Sequence, residues 1–188
     1  MRRDCAYLIL PSVPLRSKSL PSITTAQKLL KAASILSIPV YVTTQNIARL
    51  GPTCSELDVA DAKEHVDKTA FSMWIPAISR HFSGTTPSTV AIVGIESHIC
   101  VTQTTLDLLA NGHKVYIIAD GVSSCNKGEI GIALDRLRGE GAIVTTSESF
   151  LYEVMGDAAI PEFRSIAAVV KETSSQTKEA VGTFLSKI

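Results

Sequence analysis

Thr89-Val-Ala-Ile-Val-Gly94-Ile-Glu-Ser-His-Ile-Cys100-Val-Thr-Gln-Thr-Thr-Leu-Asp-Leu-Leu-Ala-Asn-Gly112 is the stretch whose reading decides the fold. It opens on a short run rich in β-branched residues, the pattern of a buried strand. Gly94 stops the run. A turn follows, and apolar residues then recur at helical spacing as Ile99, Leu106 and Leu109. Asn111-Gly112 closes that pattern as a helix C-terminus closes. The unit is therefore strand, tight turn, helix, with Cys100 in the first helical turn. Free N–H groups and the positive end of the helix dipole favour a thiolate there, and the thiolate is the nucleophilic form. Most free cysteines are inert core residues. A cysteine just past a strand end, at a helix start, stands instead where ligands and anions bind.

Working outward, Cys5–Leu10 lacks polar alternation and reads as a strand buried on both faces. Further strands are expected at Pro39–Thr44, His65–Lys68, Lys114–Asp120 and Ala142–Thr146. Helices are expected from Ser22 as N-cap to Leu36, from Phe71 with Pro76 in its first turn or kinking it, and over Lys127–Gly139. Two more are expected from Ser147 and over Pro161–Val170, the latter with proline first. The alternation predicts a doubly wound α/β sheet with its ligand crevice at the C-terminal strand edge. Residues 45–62 form a long connection containing Gly51-Pro52, and loops of that length are often functional. Residues 1–172 read as one domain. The tail, 173–188, carries Val181, Phe184, Leu185 and Ile188 at helical spacing, the pattern of a docking helix, with a partner subunit as the candidate surface.

The 188 residues are 45% hydrophobic and 19% charged, with formal net charge zero. A core of useful size is available, and nucleic-acid binding through phosphate contacts, which draws on a basic excess, is disfavoured. Zero charge also removes the self-repulsion that opposes oligomers. No apolar run approaches transmembrane length, and Met-Arg-Arg-Asp-Cys5 does not open a signal peptide. Cys5, Cys54, Cys100 and Cys125 are scattered without a C-x-x-C pair, which suits reduced thiols and a cytoplasmic protein.

Lys68 ends the third strand. By spacing alone it is a surface lysine; at the crevice it would hold negative charge on a thiolate or an oxyanion. A cysteine nucleophile also needs a group to move its proton. Asp120, at the expected end of the next strand, and Glu96, just before the helix, are the positional candidates. Asp67 points away from Lys68 if the segment is extended, and His98 reads as solvent-facing. Phe71 and Trp74, with Met73, line an apolar pocket beside Lys68 or else belong to the core, the commoner fate of such residues. The histidines show no metal-ligand spacing, and no glycine-rich phosphate loop is present, so no metal and no cofactor is expected.

Gly94-Ile-Glu-Ser-His-Ile-Cys100-Val with Thr104-Thr-Leu-Asp-Leu-Leu109 resembles the isochorismatase-like cysteine hydrolases, nearest to the eukaryotic isochorismatase-domain-containing proteins. Leu50-Gly-Pro-Thr53, Asp67-Lys-Thr-Ala-Phe-Ser-Met73, Ala119-Asp-Gly-Val-Ser-Ser124, Thr145-Thr-Ser-Glu-Ser149 and Gly156-Asp-Ala158 support the likeness in order, to about Lys171. The resemblance implies a six-stranded, mainly parallel doubly wound sheet in three layers. It also implies a Cys/Lys/Asp triad acting on a small molecule, and a homo-oligomer of two or more chains. Cys100 matches the nucleophile and Lys68 the lysine. A non-proline cis peptide maps to Ile95–Glu96, with the Glu96 and Cys100 N–H groups as oxyanion donors. One position departs: where the family has the aspartate, at the end of the first strand, this chain has Pro11, and Val13 stands where a glutamine is usual. Asp120 or Glu96 would have to replace that base. The rival readings are a silent oligomeric scaffold and a redox-responsive thiol protein, which needs no third residue.

Overall fold

The computed structural model describes residues 6–11, 20–84 and 86–185. The elements run in the order β1 (Ala6–Pro11), α1 (Leu20–Leu36), β2 (Val40–Gln45), α2 (Ile47–Leu50), β3 (Glu64–Lys68), α3 (Pro76–Ser79) and β4 (Thr89–Ile95). There follow α4 (Thr102–Ala110), β5 (Lys114–Ser123), α5 (Lys127–Gly139), β6 (Ile143–Thr145), α6 (Ser147–Met155), α7 (Phe163–Glu172) and α8 (Ser174–Leu185). Every strand pairing is parallel, and the order is β3-β2-β1-β4-β5-β6. The chain builds outward from β1 on one side and from β4 on the other. The switch point therefore lies between β1 and β4, where open α/β sheets bind ligands.

Both faces of the sheet are covered. On one, Ala26, Leu29 and Ala33 of α1, Phe150 and Leu151 of α6 and Ile166 of α7 pack on Val42, Val93 and Ile118. On the other, Ile78, Leu108 of α4 and Ile130 and Leu134 of α5 pack on Val90, Ile92 and Ile117. Coverage of both faces explains why β4 is buried at every residue instead of alternating. Truncating a side chain such as Ile92 to alanine costs about 2–5 kcal/mol.

Several expected boundaries move. Ser22 lies inside α1, not at its cap, and its hydroxyl donates to Ser123 Oγ. The helix expected from Phe71 begins only at Pro76, which takes the first helical position because its missing N–H costs nothing there. Pro161 precedes α7, whose N-cap is Glu162. The tail is helical as α8, and it docks on the chain's own α1, where Lys28 Nζ donates to Thr177 Oγ1 at 2.7 Å. Finally, β5 runs on past Asp120 to Ser123. Between two registered pairs β4 advances from Ile92 to Gly94 while β5 advances from Ile117 to Val122, so β5 bulges around residues 118–121.

Candidate active site

The site begins where β4 ends. Gly94 has φ +126°, a conformation that favours glycine, and it re-aims the chain out of the sheet. The Ile95–Glu96 peptide is cis. The chain then makes one wide helical turn, Ser97–Val101, in which Val101 N donates to Glu96 O, five residues back, before regular helix resumes in α4. Wide turns of this kind collect at functional sites. Cys100 is a free, buried thiol within it.

Three threonines brace the turn. The hydroxyls of Thr102, Thr104 and Thr105 donate to the carbonyls of Ser97, Cys100 and Val101 at 2.7, 2.6 and 2.7 Å. Thr104 Oγ1 also accepts from Met73 N at 2.9 Å. That bond ties the Cys100 turn to the segment following β3. Met73 itself is core.

Lys68 closes β3 and is buried. Its Nζ donates to Gln45 Oε1 at 2.6 Å and to the carbonyls of Ala70 and Phe71, both at 2.9 Å. Three acceptors match the three N–H bonds of an ammonium group. Burial pushes its pKa down, while the charges of Cys100 and Asp67 oppose that shift. Lys68 thus lies within electrostatic reach of Cys100. Gln45, missed in the sequence because β2 was expected to stop at Thr44, is the register partner of Lys68.

The carboxylates are committed elsewhere. Asp67 Oδ1 accepts from Thr44 Oγ1 at 2.7 Å and from Ile47 N at 3.1 Å, and the Thr44 bond leads in lowering its pKa. Glu96 Oε2 accepts from Cys125 N at 2.9 Å. It lies 4.0 Å from His98 Nδ1, which is 3.2 Å from Ser124 Oγ. Asp120, the expected substitute base, is fully buried and its carboxylate is engaged by residues of α1 and α6. It accepts from Ser147 N at 2.7 Å and from the Ser147 hydroxyl, and pairs with Lys28 at 3.9 Å.

The expected pocket also changes. Phe71 reaches the site through its carbonyl, and its ring is about half exposed. Trp74 packs on Phe82 and His113, with ring centroids 5.4 and 5.3 Å apart, beside the segment that enters β5.

Pro11 ends β1 in register with Thr43, between β2, which carries Gln45, and β4, which leads into the Cys100 turn. Among the described residues, buried Thr43 Oγ1 has no hydrogen-bond partner, and neither has Ser97 Oγ.

A parallel sheet with helices on both faces is the architecture of the isochorismatase-like α/β proteins. The isochorismatase domain model matches residues 8–149. A secreted isochorismatase effector, Isc1, of Phytophthora sojae is 42% identical over 77% of this chain and 71% of its own. Isochorismatase domain-containing protein 1 of Salmo salar is 40% identical over 82% of this chain, and the match spans about half, 55%, of that relative. The solved structure of the MAR1 ribonuclease from Caenorhabditis elegans superposes with TM-score 0.85 at 34% identity, covering 91% of this chain and 92% of that one. The chain belongs to the isochorismatase family.

Proposed function

We propose that the protein is a hydrolase of small molecules in which Cys100 is the nucleophile and Lys68 stabilises negative charge. The observation that carries this reading is the fully bonded Lys68 ammonium in electrostatic reach of Cys100, at the start of a helix. An ammonium so placed favours a thiolate and then a tetrahedral oxyanion. The backbone N–H groups of Glu96 and Cys100 are the proposed oxyanion donors. Small substrates are preferred over RNA, despite the activity named for the C. elegans relative, because the chain has no net basic charge. A homo-oligomer completes the reading, on the exposed apolar side chains Ile47, Leu50 and Phe71 around the site. A cytoplasmic location is also part of it, although the P. sojae relative is named as secreted.

Intact-mass spectrometry after exposure to p-nitrophenyl acetate tests the nucleophile. An acetyl adduct on the native chain and none on Cys100→Ser supports the reading. Equal labelling of both contradicts it. The second reading, a silent scaffold, is favoured by one observation: Pro11 supplies no acid or base at the switch point. It predicts that neither chain is labelled.

A further inference from the structure

The ends of β3, β2, β1 and β4 lie side by side and bring Lys68, Gln45, Pro11 and the Cys100 turn to one edge. Between Cys5 and Ser55 the sequence contains no aspartate, glutamate or histidine. Neither β1, nor β2, nor the residues between β1 and α1 can therefore supply a carboxylate or an imidazole. The buried hydroxyl of Thr43, in register with Pro11, has no hydrogen-bond partner among the described residues. The nearby ionisable groups are engaged. Asp67 holds Thr44 and Ile47 N, Glu96 holds Cys125 N, and His98 is drawn to Ser124. All three N–H bonds of Lys68 are taken by neutral acceptors, and giving up a proton would leave one acceptor unpaired.

From these observations, and resting on the proposed role of Cys100, we infer that the site acts on acyl compounds whose leaving group departs as an anion, such as aryl esters and thioesters, and not on amides. The Cys100 thiolate attacks the acyl carbon and a C–S bond forms. The bond to the leaving oxygen or sulfur breaks, and its electron pair leaves with that atom, so no proton is required. Water then adds to the acyl-enzyme, both of its protons pass to solvent, and the thiolate departs as the product carboxylate forms. An amide follows the same path only if its nitrogen is protonated as it leaves, and among the described residues no group at this edge is placed to do that. Such a step ordinarily draws on a general acid for about 10²–10⁴-fold in rate.

The test uses the full chain with a series of substituted phenyl acetates of graded leaving-group pKa, and with p-nitroacetanilide, alongside Cys100→Ser. The expected result is Cys100-dependent phenolate release that falls steeply as the leaving group becomes more basic, with no Cys100-dependent release of p-nitroaniline. A flat series, or anilide cleavage that needs Cys100, overturns the inference while leaving the nucleophile reading intact. Phenolate release equal in Cys100→Ser overturns the nucleophile reading itself, and the inference with it. In a second arm, Pro11→Asp raises anilide cleavage by about 10²–10⁴-fold. A folded Pro11→Asp chain that still leaves the anilide uncleaved overturns the assignment of the missing acid to β1. The native series stands by itself if that variant does not fold.

Discussion

Lys68 Nζ donates to Gln45 Oε1 at 2.6 Å, joining two register partners at the ends of β3 and β2. Gln45 Nε2 in turn donates to Thr69 O at 2.8 Å. One amide therefore holds both the cation and the backbone that follows it. Gln45→Leu removes an acceptor from a buried ammonium and a donor from Thr69 O. It is expected to cost about 1–2 kcal/mol, the lower range because Gln45 is part-exposed. A shift of the urea midpoint with an unchanged slope would show this, and a neutral effect would mean that Lys68 is held by the two carbonyls alone.

The Cys100 turn has its own brace. Thr104→Val deletes the bond to Cys100 O and leaves Met73 N buried and unpaired. The expected loss is about 1–3 kcal/mol in denaturant unfolding. Thr104→Ser keeps the hydroxyl and is expected to recover most of it.

Lys28 and Asp120 are both buried, and breaking such a pair by removing one partner typically costs about 3–5 kcal/mol. Asp120→Ala is expected in that range. Folded Asp120→Ala should alkylate at Cys100 as fast as the native chain, because Asp120 serves α1 and α6. A folded variant with a silent Cys100 would return Asp120 to the site.

His113 is buried against Trp74 and Phe82, and its Nδ1 accepts from Ser88 N at 3.2 Å. Burial lowers its pKa, and protonation would also break the Ser88 bond. The unfolded chain, near the ordinary value of about 6.5, binds the proton first. Stability from His113 is therefore complete above about pH 6.5 and is lost as pH falls from there toward the lowered folded value. The slope is at most about 1.4 kcal/mol per pH unit. His113→Gln should flatten this part of the stability–pH curve, and an unchanged curve would place the acid sensitivity elsewhere.

Much of this molecule was legible in the sequence because periodicity reports burial. The unbroken apolar run of β4 marked a strand covered on both faces, and Gly94 marked where it turns out toward Cys100. What periodicity does not report is direction after an irregularity. The β5 bulge lengthens that strand beyond Asp120, so a residue expected at the ligand edge stays inside the α1 layer. Gln45 was hidden because its role needs a partner across the sheet, Lys68, which sequence spacing cannot place. Trp74 looked like a pocket residue because it follows Lys68 closely. The chain instead bends through residues 69–73 before Pro76 and carries the indole toward His113.

The central claim is that Lys68 prepares Cys100 for attack. The most direct measurement is the rate of Cys100 alkylation by iodoacetamide at pH 7 in the native chain and in Lys68→Met, with Cys100→Ser identifying the signal. The account predicts alkylation at least about tenfold slower without the ammonium, the least effect expected of an opposite charge on a nearby ionising group. Equal rates in a folded Lys68→Met chain would contradict it, leaving Lys68 a structural cation and Cys100 an ordinary thiol.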